Sequence, residues 1–403
     1  MKKTIVEINS CNYGSTGNIM LQIADKAREK GHIVYTSYPD GRDNRKKKVE
    51  NGIVIGNRFS RNLHLYLAQF TGLNGCFSFF STLTFLAKLK KIKPDIIHLH
   101  NLHNCYINLP LLFHFIKKHR IKTFWTLHDC WSFTGHCPHF TLANCNKWLS
   151  GCHHCPQYHE YPTSYIDSSK SLYRLKKRWF CSVEDLTIVT PSEWLAGLVR
   201  QSFLKEYPVR VINNGIDLSV FQPTDSNFRE KHGLQDNFIL LGVAFGWGQR
   251  KGLDVFVELA RRLPDKYKIV LVGTNDAVDK LLPENILSIH RTQNQQALAE
   301  IYSAADLFVN PTREENYPTV NMESIACGTP VLTFRTGGSP EIPDNTCGSV
   351  VPCDDIAALE QEILRICEEM PYTQTDCVTR SRCFDMNERY EEYIHLYETD
   401  ENT

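Results

Sequence analysis

Residues 306–341, DLFVNPTREENYPTVNMESIACGTPVLTFRTGGSPE, carry the densest set of groups able to do chemistry. An apolar strand expected over Leu307 to Asn310 runs into a polar loop with Glu314 and Glu315, then into a helix expected from Thr319 that carries Glu323 and Ser324. A second short strand, Pro330 to Phe334, ends at Gly337 and Gly338. Seven residues separate Glu315 from Glu323, and Pro318 makes the first of them a loop. Glu315 is therefore expected at a loop mouth and Glu323 about one turn inside a helix. Ionised carboxylates at two depths beyond strand ends suit a polyhydroxylated ligand, since each accepts two hydroxyl hydrogen bonds. Taken alone, Glu314 and Glu315 read equally well as first-turn acids facing a helix dipole.

Other groups add a phosphate chemistry. Arg250-Lys251-Gly252 follows a strand expected over Phe238 to Val243 and precedes an amphipathic segment through Val255, Phe256 and Leu259. Cations beside a permissive glycine at a helix start can neutralise a departing diphosphate, although a solvated basic turn has the same composition. Near the N-terminus, a strand over Thr4 to Ile8 opens onto Gly14-Ser15-Thr16-Gly17-Asn18, with a helix expected from about Ile19 to Lys30. That order offers backbone N–H groups to an anion but lacks the spacing of a dinucleotide fingerprint. His128 ends a strand over Phe124 to Leu127, with His100 and His103 as weaker candidates after the strand Asp95 to His100.

The run Glu315-x7-Glu323, then Ala326-Cys327-Gly328-Thr329-Pro330-Val331 and Gly337-Gly338, resembles the donor-site signature of family 4 retaining glycosyltransferases of GT-B fold. Thr190-Pro191-Ser192-Glu193-Trp194 and Asn214-Gly215-Ile216-Asp217-x3-Phe221-x-Pro223 extend the resemblance over nearly the whole chain. It implies that Glu315 holds hydroxyls of a transferred sugar, with Asn316, Tyr317, Pro318 and Thr319 beside it, and that Glu323 holds the ribose of the nucleotide. It implies that Lys251, with Arg250, meets the diphosphate, and that His128 hydrogen-bonds a sugar hydroxyl. It places Arg291, Thr292 and Gly273 beside the nucleobase and Gly14 and Gly17 at the cleft near donor phosphate or acceptor. This chain departs twice: Asn316-Tyr317-Pro318 stands where the family has Gly-Phe-Gly, and Phe245 where it has Arg. The donor is expected to be a nucleotide-sugar and the acceptor a glycan or lipid-linked saccharide of polysaccharide biosynthesis, with no cofactor required for catalysis. A same-fold epimerase or phosphorylase, or a non-catalytic zinc-containing binding protein, are the rival readings.

These groups need a scaffold. With 403 residues the chain is long enough for two buried cores. Strands alternating with helices point to α/β architecture with parallel sheets. The expected GT-B plan has an N-terminal Rossmann-like acceptor domain over 1–200, a donor domain over 201–375 whose strand series begins near Val209, and a tail helix over 376–403. The two domains face each other across a cleft and the tail crosses back to the first, with Phe384, Tyr390, Tyr393 and Leu396 at helical spacing. Lys plus Arg equals Asp plus Glu at 45 each, which argues against nucleic acid as a partner. The N-terminal apolar run is too short for a signal peptide, so a cytoplasmic enzyme is expected.

Five of the fifteen cysteines fall in an insertion over about 130–156: Cys130, Cys137, Cys145, Cys152 and Cys155. Cys152-His-His-Cys155 with Cys137 and Cys145 composes a thiolate set for a structural zinc; buried thiols or a disulfide are the alternatives. The basic-aromatic stretches Leu172 to Phe180 and Phe113 to Arg120 suit either peripheral contact with the inner face of the plasma membrane or packing on a sheet.

Overall fold

Short runs dominated by Val, Ile, Leu and Phe become strands inside the sheets. The stretches Ile96–Leu99, Leu186–Thr190, Leu307–Asn310 and Val331–Phe334 are buried along their whole length, as parallel strands covered on both faces require. The computed structural model describes residues 1–399 and divides into two units. The first comprises Met1–Ile212 and the chain from Tyr390 onward; the second is Asn213–Arg389. The final positions of the expected tail segment, 400–403, lie outside the described residues.

The first unit holds β1 (Thr4–Ile8), β2 (Ile33–Pro39), β3 (Gly52–Ile55), β4 (Ile96–Leu99), β5 (Lys122–Thr126), β6 (Leu186–Thr190) and β7 (Val209–Val211). They form one parallel sheet in the order β3-β2-β1-β4-β5-β6-β7. In the second unit β8 (Phe238–Val243), β9 (Tyr267–Val272), β10 (Ile286–Ile289), β11 (Leu307–Asn310), β12 (Val331–Phe334) and β13 (Gly348–Val351) pair in parallel as β10-β9-β8-β11-β12-β13. Alternate residues of its strands enter two separate cores: Ile239, Leu241, Val270 and Phe308 on one face, Leu240, Ile269, Leu271 and Leu307 on the other. Each sheet reverses direction once, between β1 and β4 and between β8 and β11. Loops leaving the carboxyl ends at such a reversal diverge and leave a crevice, where open α/β sheets bind ligands.

Several expected boundaries are corrected. Val209–Val211 does not begin the second sheet; it pairs with β6 as the last strand of the first, and Ile212 N–H donates to Thr190 O at 3.0 Å. The helix after β1, α1, spans Gly14–Glu29, so Gly14 to Gly17 form its first turn instead of a loop before it. A Cβ on Gly17 would lie 2.7 Å from the carbonyl carbon of Asn12, and only glycine lets that turn fold so closely over the β1 loop. The apolar region Leu63 to Leu89 is two helices, α2 (Arg58–Thr71) and α3 (Phe79–Ile92), because Gly72 takes a left-handed backbone and ends the first.

The tail also divides later than expected. Ile216 N–H donates to Phe384 O (2.8 Å) and Met386 N–H to Ile216 O (3.0 Å), which keeps residues up to Arg389 with the second unit. The final helix, Met386–Glu398, buries Tyr390, Tyr393, Ile394 and Tyr397, with Tyr397 and not Leu396 as the deepest anchor. Two further helices of the first unit, α4 (Leu109–His119) and α5 (Ser169–Phe180), bury Phe113, Phe115 and Ile116, and Leu172, Tyr173, Lys176 and Phe180. Most apolar residues of both basic-aromatic stretches are thus core contacts.

Candidate functional site

In the second unit the loops after β8 and β11, either side of the sheet reversal, are stitched together. Arg313 N–H donates to Arg250 O at 2.9 Å and Thr312 Oγ1 to the same oxygen at 3.3 Å. A Cβ on Gly252, which has φ +74, would sit 2.3 Å from Pro311 O, so the basic turn depends on glycine to approach β11. Arg313 itself is buried: its Nη1 and Nη2 grip Asp254 at 2.8 Å each, Nη1 also donates to Gln249 O, and Nε reaches Asp354 Oδ1 at 2.5 Å. A two-pronged guanidinium with its donors used this way holds both loops in one register.

That scaffold brings Lys251 Nζ onto Glu315 Oε2 in a short ion pair, each side chain 20% exposed. Glu315 Oε1 accepts from Asn316 N–H at 3.2 Å. The glycines after β12 close the wall: Gly338 N–H donates to Asn316 O (2.9 Å), and a Cβ on Gly337 would fall 1.7 Å from Glu315 O. Glu314 is buried beneath the mouth, leaving Glu315 as the acid that faces it.

Glu323 lies on the helix Thr319–Ala326, which Pro318 starts with an extended backbone. Burial raises the Glu323 carboxyl to about 7, against the opposing hydrogen bonds of Tyr302 and Thr319. Tyr302 Oη donates to Glu323 Oε2 at 3.1 Å. Asn316, Tyr317 and Pro318 are buried in the connecting loop and Thr319 half-buried.

Gly273 and Arg291 meet at the neighbouring edge: Gly273 N–H donates to Ile289 O at 2.8 Å, two residues before Arg291. Arg291 is exposed and Thr292 half-buried there. Arg250 is exposed and supplies its carbonyl to the stitch described above, while Phe245 is exposed on the β8 loop.

In the first unit the reversal between β1 and β4 gathers a buried polar cluster. Glu7 on β1 accepts from His100 Nε2 at 2.8 Å and from Tyr397 Oη at 3.0 Å, and its Oε2 lies 3.0 Å from His98 Nδ1. Burial works to raise the Glu7 carboxyl, but His98 and His100 outweigh it and hold it at about 2. His98 Nδ1 also meets Tyr397 Oη at 2.5 Å, and its Nε2 meets Thr126 Oγ1 at 2.8 Å.

His100 Nδ1 in turn faces His128 Nε2. Because the Glu7 carboxylate can only accept, His100 donates through Nε2 and receives the His128 Nε2–H on Nδ1. Burial, followed by neighbouring His98, lowers His100 to about 4; burial and then His100 push His128 well below its ordinary range. Both rings are neutral at pH 7. His103 bridges Asp129 Oδ2 (2.9 Å) and Tyr161 Oη (2.8 Å). Gly14, at φ +67, and Gly17 form the α1 turn after β1.

The cysteine lobe packs on the first unit's core, with Cys137 buried and Cys145 and Cys152 half-buried. A hydrogen bond to Cys155, reinforced by burial, raises the Cys137 thiol, while the same bond lowers Cys155 to about 7. Among the described residues, no three of these sulfurs come within 4.8 Å of one another, so the expected four-thiolate set is not drawn together.

The geometry can now be set beside known proteins. The chain matches Glycosyltransferase Family 4 over residues 16–220, half its length, and Glycosyl transferases group 1 over residues 236–369. It is a family 4 glycosyltransferase. The enzyme is 26% identical over 319 residues to the colanic acid biosynthesis glycosyl transferase WcaC of Escherichia coli, covering 76% of each chain. Its fold resembles sucrose-phosphate synthase from Thermosynechococcus elongatus, with TM-score 0.71, 17% identity and 98% of both chains covered. It also resembles Anabaena HepE in complex with UDP-glucose, with TM-score 0.68, 15% identity and coverage of 98% of this chain and 100% of that one. The architecture is therefore GT-B, with two parallel-sheet α/β domains.

Sequence reasoning about this glycosyltransferase passed over Arg313, Tyr302 and Glu7. Two of them carried a signal: Glu7 is an acid inside an otherwise apolar strand, and Arg313 follows a wholly buried one.

Proposed function

We propose that this glycosyltransferase retains anomeric configuration and moves a sugar from a nucleotide-sugar to a glycan or lipid-linked saccharide acceptor in polysaccharide biosynthesis. The observation that carries the reading is the Lys251–Glu315 pair beside the reversal of strand order, with Glu323 one turn into the helix that follows. An ammonium has three donors, so Lys251 can keep Glu315 while meeting an oxygen of the leaving diphosphate. Glu315 then accepts hydroxyls of the transferred sugar and Glu323 those of the ribose. The HepE complex with UDP-glucose and the name of WcaC support the donor class and the pathway.

Arg250 adds positive charge at the phosphate turn, and Asn316, Tyr317, Pro318 and Thr319 shape the sugar's surroundings. Gly273, Arg291 and Thr292 receive the nucleobase. From the first unit, His128 hydrogen-bonds a sugar hydroxyl, and the α1 turn of Gly14 and Gly17 offers backbone N–H groups to donor or acceptor. No carboxylate is assigned as a nucleophile. A phosphate oxygen of the departing nucleotide takes the acceptor proton as the acceptor attacks from the same face, and Lys251 stabilises the charge that develops.

A lipid-linked acceptor calls for peripheral contact with the inner face of the plasma membrane, and no helix among the described residues is long and apolar enough to cross one. A structural zinc at Cys137, Cys145, Cys152 and Cys155 is proposed as well, supported by the packing of Cys137, Cys145 and Cys152 against one core; it requires the four sulfurs to be drawn together when the metal binds. The deciding experiment is a screen of nucleotide-sugars for thermal stabilisation and slow hydrolysis, followed by NMR of the product linkage. An inverted anomer would reject the mechanism, and silence with every donor would reject transfer from nucleotide-sugars.

A further inference from the structure

Between Glu50 and Asp95 the chain contains no acidic residue, while Arg58, Arg61, Lys88, Lys90, Lys91 and Lys93 supply six cations. The same segment folds into α2 and α3; α3 buries Phe85, Leu86 and Leu89, whereas most of the large apolar residues of α2 and those at the start of α3 are turned outward. On α2, Phe59, Leu63, Tyr66 and Phe70 recur at a spacing that places all four on one helical face. That face is open to solvent, with Phe59 76% and Phe70 62% exposed, whereas His64 and Ala68 occupy the buried side. An ordinary surface helix does the reverse, burying its apolar stripe.

The stripe continues onto neighbouring elements. Ser81 Oγ donates to Ser60 Oγ at 2.7 Å, which joins the start of α3, where Phe80 is 82% exposed, to the Phe59 end of α2. At the other end Phe70 packs on Tyr165, ring centroids 5.3 Å apart, and the exposed Ile166 follows. An exposed apolar stripe of this length is rare on a monomer's surface and marks an interaction site, and Arg58 and Arg61 on the same helix, with the lysines at the far end of α3, make the segment cationic.

We propose that the outer face of α2 and the start of α3 form a docking surface for an anionic lipid bilayer. Charge selects this occupant. A second copy laid on the same face would oppose cations with cations, which is unfavourable, whereas aromatic side chains entering an acyl boundary beneath anionic headgroups satisfy both parts of the surface. The assignment deepens the reading of a lipid-linked acceptor, and it places the contact away from α4 and α5.

The test is co-sedimentation of the full chain with phosphatidylglycerol–phosphatidylethanolamine vesicles carrying no saccharide, so that membrane docking and glycosyl transfer can fail separately. Binding is expected at low salt, weakening by about tenfold or more on pure phosphatidylcholine vesicles and in high salt. The quadruple variant Phe59→Ser, Tyr66→Ser, Phe70→Ser, Phe80→Ser changes exposed residues only and is expected to lose the binding while keeping its melting temperature and donor hydrolysis. Failure to sediment with the anionic vesicles, or equal sedimentation of parent and variant, overturns the proposal. So does a dimer in light scattering that the variant abolishes while vesicle binding persists.

Discussion

His128 and His100 lie edge to edge with ring planes 10° apart, and His128 Nε2 is 3.0 Å from His100 Nδ1. The arrangement passes the influence of one buried carboxylate, Glu7, through a neutral imidazole to the histidine proposed to meet the sugar. The groups facing this chain are His98 on β4, Thr126 at the end of β5, Tyr393 and Tyr397 on the final helix, and Asp129 and His103 beside His128. Replacing Glu7 by Gln keeps an acceptor for His100 but removes the charge that raises its pKa. We expect kcat to fall roughly tenfold with donor KM unchanged, about 1.4 kcal/mol in the barrier, and the acid limb of the kcat profile to move to lower pH. An unshifted limb beside an inactive His128→Ala enzyme would show that Glu7 is structural only.

Glu323 yields a second pH dependence, nearer neutrality. Burial raises its carboxyl to about 7, so the ionised, hydroxyl-accepting form gains population as pH rises through 7. Donor KM is expected to fall between pH 6 and 8, by roughly one order of magnitude at most. Glu323→Gln should flatten the dependence, which initial-rate kinetics at fixed acceptor would read directly.

Loss of charge at the phosphate turn is expected to act on turnover. Lys251→Ala should lower kcat by roughly 10²-fold or more, and Glu315→Gln should weaken both donor affinity and turnover because it loosens Lys251 as well. Gly337→Ala tests the scaffold: its Cβ would collide with Glu315 O, and φ +54 adds about 1–2 kcal/mol of backbone strain. Donor affinity should drop although no donor-contacting side chain has changed, as isothermal titration with the nucleotide-sugar would show.

Acid should destabilise the first unit. His64 and His100 are lowered by burial to about 3 and about 4 from the ordinary 6.5. Between 6.5 and those values the unfolded chain binds protons that the folded one refuses, so stability falls as pH falls, by about 3 kcal/mol for each ring by pH 4.5. Glu7 contributes in the same direction only lower, below 4.5 and down through about 2. Melting curves from pH 7.5 to 4.5 should show the loss, and His64→Gln should reduce its slope.

For the thiol lobe, the zinc proposal predicts one equivalent of metal in protein purified without a histidine tag, and a lower melting temperature in Cys152→Ser. Metal-free protein with an unchanged Cys152→Ser would leave the lobe as packed thiols.

Much of the scaffold was legible because it follows from local patterns: short apolar runs such as Leu307 to Val309, bounded by turn residues, read as strands inside a covered sheet. The Glu315 and Lys251 pairing was also within reach, since both follow strands that the β8–β11 adjacency brings together. What escaped depended on contacts distant in sequence. Val209–Val211 looks like the start of a new series until its partner β6 is known, and Glu7 acquires meaning only beside His100 and Tyr397. The α2 face escaped for a different reason, because apolar periodicity tells which residues share a side and not whether that side meets protein.

Tyr397 gives the cluster around Glu7 a consequence for synthesis. The first strand off the ribosome carries a carboxylate whose hydroxyl partner is translated 390 residues later. The amino-terminal unit must therefore wait, its sheet formed but one buried acid incompletely satisfied, until the last helix is released. A nascent chain arrested before Tyr390 should be protease-sensitive at β1 and β4, and completion of translation should seal it.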